Sequence, residues 1–318
     1  MSDTPAEVAR SSLDPTPPTD PPAPMARPER VRQLQEALTV VDDAAATATA
    51  RAGPESPPVR SRVMAITNQK GGVGKTTTAV NLGAALADRG HRTLVVDLDP
   101  QGNASTGLGI NVRDLDVSMY DVMLRDRPID DCIEGTSVRN LFVAPSALDL
   151  AGAEIELVPA FSRELRLRRG LEEVRADYDY VLIDCPPSLG LLTVNGLAAA
   201  SEVVVPIQCE YYALEGLGQL LRNVHLVQRN LNARLELSTI VLVMHDARTK
   251  LSAQVVAEVR RHFGDKVCRT VIPRTVRLSE APSFGQPITV FDPTSRGAIA
   301  YRELAKEVSG DDASQRAW

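Results

Sequence analysis

Aromatic residues are scarce in this sequence: Phe, Trp and Tyr together make up 4% of its 318 positions. Any core must therefore be built from Val, Leu, Ile and Ala, the side chains of strands buried on both faces. Apolar runs of about 18 residues are also missing, so no membrane span is expected. The N-terminus lacks the basic-then-apolar pattern of a leader. The four cysteines (Cys132, Cys185, Cys209 and Cys268) have no CxxC spacing and read as buried free thiols of a reducing, cytoplasmic setting. Positive charge is in deficit as well. The net charge is −6, which taken alone argues against a nucleic-acid binder.

The chemistry present is concentrated in residues 66–78, ITNQKGGVGKTTT. The order is buried strand, glycine-rich loop, helix start. Gly71, Gly72 and Gly74 can adopt backbone angles closed to other residues and turn consecutive N–H groups toward an anion. The following helix directs its positive end at the same place. Lys75 is placed to reach outer phosphates, and the Thr76 hydroxyl to ligate Mg²⁺. Where the general phosphate-loop pattern has its first glycine, this chain has Gln69, followed by Lys70. The loop thus carries two lysines, the deviant Walker A form KGGVGKT.

Residues 1–61 hold 11 of the 22 prolines and no aromatic residue, so they are expected to be a disordered arm, with one short helix near Arg30–Val41. The folded domain is expected over 62–309, with a short tail at 310–318. Strands are expected at Val63–Asn68, Thr93–Leu98, Asn140–Ala144, Tyr180–Asp184, Glu202–Ile207, Ser238–Met244 and Val267–Ile272. Helices are expected from the phosphate loop to Arg89, from Leu189, and over Glu215–Asn230, Leu251–Phe263 and Ser295–Val308. Apolar strands separated by helices imply an α/β fold: a doubly wound, mostly parallel sheet with helices on both faces.

In such a sheet the carboxyl ends of the strands line the ligand crevice. Asp184 closes the apolar YVLID segment and fits a Walker B carboxylate holding Mg²⁺. Asp97 and Asp99, in VVDLDPQGN, share a face if their strand persists. Asp97 is then a further metal candidate, and Asp99 a residue that orients the attacking water. The alternative for each is a turn or helix cap.

KGGVGKTT, VVDLDPQGNAS, YVLIDCPPSLG, QCEYYALEG and VIPRTVRLSEAPSFG stand in this order. Together they resemble the ParA/Soj family of partition ATPases over roughly residues 62–309. The resemblance implies a slow ATPase that uses ATP and Mg²⁺ and closes as an ATP-dependent homodimer. It implies nucleotide contacts from Gln69, Lys70, Gly71, Gly72, Val73, Gly74, Lys75, Thr76 and Thr77, with Lys70 reaching the partner's nucleotide and loss of Asp99 blocking hydrolysis. Pro273 and Thr275 align with residues beside the adenine, Thr275 standing where the family has asparagine. The resemblance also implies a ParB-type centromere-binding partner and association with the nucleoid. A MinD-like membrane-cycling ATPase shares the deviant loop and is the alternative. It would need a basic amphipathic C-terminal helix, whereas this sequence ends SGDDASQRAW.

Charge distribution bears on DNA more than net charge does. Residues 222–277 carry eleven Lys or Arg against four acids, about +7 inside an acidic protein. From the residues alone this stretch reads equally as a solvated basic face or as a surface for non-specific, salt-sensitive binding of double-stranded DNA. The resemblance favours DNA, with Arg248 and Arg277 at the family's DNA-contacting positions. A second basic run, Arg163–Arg169, reads as a salt-bridged surface helix.

Overall fold

Eight strands join in one sheet in the order β3-β4-β2-β5-β1-β6-β7-β8. They are β1 (Arg62–Ile66), β2 (Thr93–Asp97), β3 (Glu134–Gly135), β4 (Leu141–Ala144), β5 (Tyr180–Asp184), β6 (Glu202–Gln208), β7 (Glu236–His245) and β8 (Val267–Pro273). All neighbouring pairs are parallel except β3 with β4. The structure is a computed structural model that describes residues 61–210 and 213–310. The expected N-terminal arm and its short helix, and the C-terminal tail, lie outside the described residues apart from Ser61 and Gly310.

Strand residues alternate between the two faces, and each face has its own core. Val63 and Ala65 of β1, with Val181 and Ile183 of β5, pack on one side. Met64 and Ile66, with Leu182, pack on the other. The first side is covered by α5 (Arg166–Val174), α6 (Leu191–Ala199), α7 (Ala213–Asn230) and α8 (Lys250–Phe263). The second is covered by α1 (Lys75–Asp88) and α11 (Arg296–Ser309). Each fully buried Leu, Ile or Val contributes about 1.5–3 kcal/mol relative to exposure, so these aliphatic layers hold the sheet without many aromatics. Tyr301 of α11 is the largest fully buried side chain, and its hydroxyl lies 3.4 Å from the Thr78 hydroxyl of α1.

The doubly wound sheet matches the expected fold class, and the strands fall where the apolar runs place them, with revised ends. β1 stops at Ile66, and β2 stops at Asp97. β4 begins after Asn140, which is left-handed at φ 65°. α1 ends before Arg89, with Gly90 at φ 92° just beyond. β3 was not expected, because two exposed residues have no apolar pattern. Short helices were missed for the same reason of length: Asn103–Gly107, Met119–Arg125, Leu150–Glu156, Val276–Glu280 and Ile288–Phe291. In chain order they are α2, α3, α4, α9 and α10.

Candidate active site

Strand β1 lies between β5 and β6, where the strand order changes direction, and the loop that leaves it runs along the carboxyl edge of the sheet. The start of this loop is fastened to β6. Thr67 N donates to the Val204 carbonyl at 3.1 Å, and the Asn68 amide donates to the Pro206 carbonyl at 2.8 Å. The Asn68 side-chain oxygen then accepts from Lys70 N at 3.1 Å. Gly72 and Gly74 have φ values of 70° and 81°. A Cβ at Gly72 would meet nothing within 4 Å, so the left-handed backbone and not crowding requires glycine there.

Gly74 caps α1 without any side-chain hydrogen bond, and the first turn of α1 has no acidic residue. Its leading N–H groups therefore face the loop ready for an anion. Lys75 is 6% exposed, and its ammonium donates to the Lys70 carbonyl at 3.2 Å. Burial lowers its pKa, and Asp184 and Asp99 oppose that shift. Val73 is buried, whereas Gly71 and Gly72 are exposed at the mouth of the loop.

The three aspartates divide into two kinds. Asp184 ends β5 in register with Ile66 of β1 and Asp97 of β2. It is fully buried, and neither carboxylate oxygen has a hydrogen-bond partner. Burial and the neighbouring Asp97 raise its pKa well above the usual carboxylate range, opposed by the nearby Thr76 hydroxyl, which falls short of hydrogen-bond geometry in this structure. A buried carboxylate with two unpaired oxygens facing a lysine and a hydroxyl is the donor set that a Mg²⁺–phosphate group completes.

Asp97 is different, although burial pushes its pKa up to about 6. Its Oδ2 accepts from Ser105 N at 2.9 Å and from the Ser105 hydroxyl at 2.7 Å, and its Oδ1 accepts from Asp99 N at 3.1 Å. This is the turn-holding arrangement weighed from the sequence as the alternative to metal binding. Because β2 ends at Asp97, Asp99 lies in the turn and not on the strand face. There its Oδ1 accepts from Gln101 N at 3.0 Å.

On the far side of the loop, a cavity of about 700 Å³ is lined by His245, Asp246, Arg248, Pro273, Thr275 and Arg296, among others. It joins the end of β7 to the end of β8. Pro273 and Thr275 both line this hollow, and the Thr275 hydroxyl is engaged in capping α9, accepting from Leu278 N at 3.3 Å. Arg248 borders the same hollow. Its side chain is 88% exposed and makes a bidentate pair with Asp246 at 2.9 and 2.7 Å. This pairing holds the Asp246 carboxyl well below its usual range. Arg277 pairs with Glu280 at 3.1 Å and with Asp292 at 3.4 Å. In the second basic run, Arg163 pairs with Glu164, Arg166 with Asp126 and Arg168 with Glu172, the salt-bridged surface expected there.

Sequence reasoning did not single out Gln208 and Glu210. The Lys70 ammonium lies 2.9 Å from Gln208 Oε1 and 3.6 Å from Glu210 Oε2. Both acceptors lie in the QCEYYALEG segment, so the signal was present as a motif without an assigned role. Among the described residues no helix is long and apolar enough to cross a membrane, and no three His, Cys, Asp or Glu side chains group as a metal cluster.

Comparison with known proteins bears on the family and the fold. Residues 61–237 match the model of an AAA domain family. The chain is 60% identical over 250 residues to the sporulation initiation inhibitor protein Soj of Bacillus subtilis, covering 79% of this chain and 99% of that protein. The chain belongs to the ParA/Soj family. The ParA/Soj chromosome partitioning protein ParA of Caulobacter vibrioides is 54% identical over 258 residues, covering 80% of this chain and 97% of that one. Among solved structures, cobyrinic acid a,c-diamide synthase of Mycobacterium smegmatis with bound ADP and magnesium is similar to this chain at a TM-score of 0.70. It is 41% identical and covers 80% of this chain and 97% of that one. The septum site-determining protein MinD of Pyrococcus horikoshii, complexed with Mg-ADP, has a TM-score of 0.65 at 26% identity, covering 81% and 100%.

Proposed function

We propose that the protein is a chromosome-partitioning ATPase that binds ATP with Mg²⁺ and engages double-stranded DNA without sequence preference in its ATP state. The observation that carries the nucleotide reading is the pair of buried, unpartnered Asp184 oxygens opposite Lys75 and Thr76 at the start of α1. Thr76 and Asp184 would hold the metal, which supplies charge neutralisation at the phosphates. Asp97 sits beside them and holds the turn that presents Asp99. The loop N–H groups from Gly71 to Thr77, with Gln69 and Val73 shaping the turn, would cradle the phosphates, and the Lys75 ammonium would pair with them. Asp99 would orient the attacking water. The hollow at Pro273 and Thr275 would take the base.

Nucleotide would close two subunits face to face, with Lys70 reaching toward the partner's phosphates. Closure doubles the number of arginine–phosphate contacts available to one DNA segment, which raises affinity steeply. Arg248 and Arg277 are the exposed cations assigned to that surface. Hydrolysis would release the dimer, accelerated by a ParB-type partner, and the protein would act in the cytoplasm on the nucleoid. The identity to Soj and ParA across nearly their whole length supports this reading.

The 41% identity to the protein described as cobyrinic acid a,c-diamide synthase favours a second reading, an ATP-dependent amidation. Two assays separate them. Co-sedimentation with non-specific double-stranded DNA in ATP and in ADP, at two salt concentrations, is expected to show binding with ATP that salt weakens. Lys75→Ala is expected to abolish that binding, and DNA binding by Lys75→Ala equal to wild type refutes the nucleotide gate. Amide formation on cobyrinic acid with glutamine and ATP, without DNA binding, would establish the second reading.

A further inference from the structure

Gln208 is the last residue of β6, the strand between β1 and β7, and it is 8% exposed. A primary amide at that depth has to satisfy both its ends. Its Nε2 donates to the Gly72 carbonyl at 2.8 Å and lies 3.2 Å from the Met244 sulfur. Its Oε1 accepts from the Lys70 ammonium at 2.9 Å. One side chain thus touches the phosphate loop, the second lysine of that loop and the end of β7. Met244 itself has a left-handed backbone, φ 53°, and directly precedes His245 of the base hollow.

The consequences differ for the two ends of the amide. Drawing the Gly72 carbonyl toward Gln208 keeps it from turning into the phosphate cradle. The flanking N–H groups are then free to face an anion. At the other end, Lys70 is held within its own subunit, with the Glu210 carboxylate as an ion-pair partner at 3.6 Å. An ammonium donating to Gln208 and ion-paired with Glu210 is not at the same time reaching across to another subunit's phosphates.

We propose that Gln208 is a positioning residue with two opposed effects: it fixes the Gly72 carbonyl so that the loop binds nucleotide, and it retains Lys70 in its own subunit until nucleotide-driven closure draws that lysine away. The second effect rests on the cross-subunit role given to Lys70 above, and the first stands without it. Adenine nucleotide is the ligand in both.

The test is Gln208→Ala and the near-isosteric Gln208→Met in the full-length protein, with Glu210→Gln as a variant that leaves the Gly72 contact intact. Affinity for Mg-ADP is read by titration with a fluorescent ADP analogue, and self-association by light scattering at saturating Mg-ATP. Both Gln208 variants are expected to bind Mg-ADP roughly three- to tenfold more weakly, the weight of one buried hydrogen bond. At saturating ATP they are expected to associate at lower protein concentration than wild type. Glu210→Gln should keep the ADP affinity and share part of the gain in association. A fold merely damaged by the substitution would lower both quantities, and Gln208→Met keeps the volume filled should Gln208→Ala melt.

Unchanged ADP affinity in Gln208→Met overturns the loop effect, and weakened association at saturating ATP overturns the retention of Lys70. If wild type itself does not associate in ATP, the cross-subunit reading fails, and the ADP titration still decides the loop effect.

Discussion

At the scale of single residues, the site works by leaving some polar groups satisfied and others open. Asp97 accepts three hydrogen bonds from Ser105 and Asp99, whereas Asp184 keeps both oxygens free of hydrogen bonds. The two are register partners on adjacent strands, and Asp184 has the greater coordination capacity to spare. The arginines assigned to DNA show the opposite condition, since Arg248 is already bound by Asp246. The carboxylate offsets the charge that a phosphate would meet at Arg248, so Asp246 is expected to hold DNA affinity down. Asp246 also accepts from Arg248 N at 3.0 Å, a turn contact that an asparagine oxygen can keep. Asp246→Asn should therefore strengthen DNA binding, roughly two- to fivefold at low salt, as expected when an exposed competing charge is removed. Filter binding of wild type, Asp246→Asn and Arg248→Ala checks this. Weaker binding by Asp246→Asn would mean that the pair instead holds Arg248 in its binding pose.

At the scale of elements, the turn after β5 is pressed against α6. A Cβ on Gly196 would lie 2.8 Å from Cys185 Sγ and 3.4 Å from Ile183 Cγ2. Glycine at this point lets the helix approach the strand that carries Asp184. Gly196→Ala is expected to cost about 1–3 kcal/mol, the usual range for overpacking a filled interior. The melting midpoint should fall by several degrees. Because Cys185 follows Asp184 directly, Mg-ADP affinity should fall with it. A variant that melts like wild type would show that α6 can withdraw from the turn at little cost. The strands themselves were legible in the sequence because unbroken apolar runs such as VVVPI fit only a position covered on both faces. The two-residue β3 and the five-residue α2 were not legible: too short to show a period, they depend on tertiary contacts.

At the scale of the whole molecule, the two aliphatic layers bury Cys132, Cys185 and Cys209, whereas Cys268, expected to be buried, is partly exposed on the strand β8. Burial pushes the Cys132 and Cys268 thiols up to about 12 and that of Cys209 up to about 11, and it raises Cys185 as well. Such thiols stay protonated at pH 8, and the thiolate is the reactive form. Native protein treated with iodoacetamide at pH 8 should be alkylated slowly at all four positions, and rapidly once unfolded. Mass spectrometry of intact protein checks this. Fast modification of one native cysteine would identify a thiol that the layers do not protect.

The phosphate loop, the parallel sheet and the family are legible in the residues alone, because these depend on local order: glycines at fixed spacing, a lysine and threonine at a helix start, apolar runs of strand length. The sequence also marked Asp97, Asp99 and Asp184 as a set. How that set divides follows from packing, since how much capacity a carboxylate has left depends on what the fold places against it. Ser105 is eight residues from Asp97 in the chain, and Gln208 is 138 residues from Lys70. Contacts between such separated residues leave no periodic trace in the sequence. They arise when β6 is laid beside β1, which places the Gln208 amide within hydrogen-bond reach of both the loop carbonyl and the lysine.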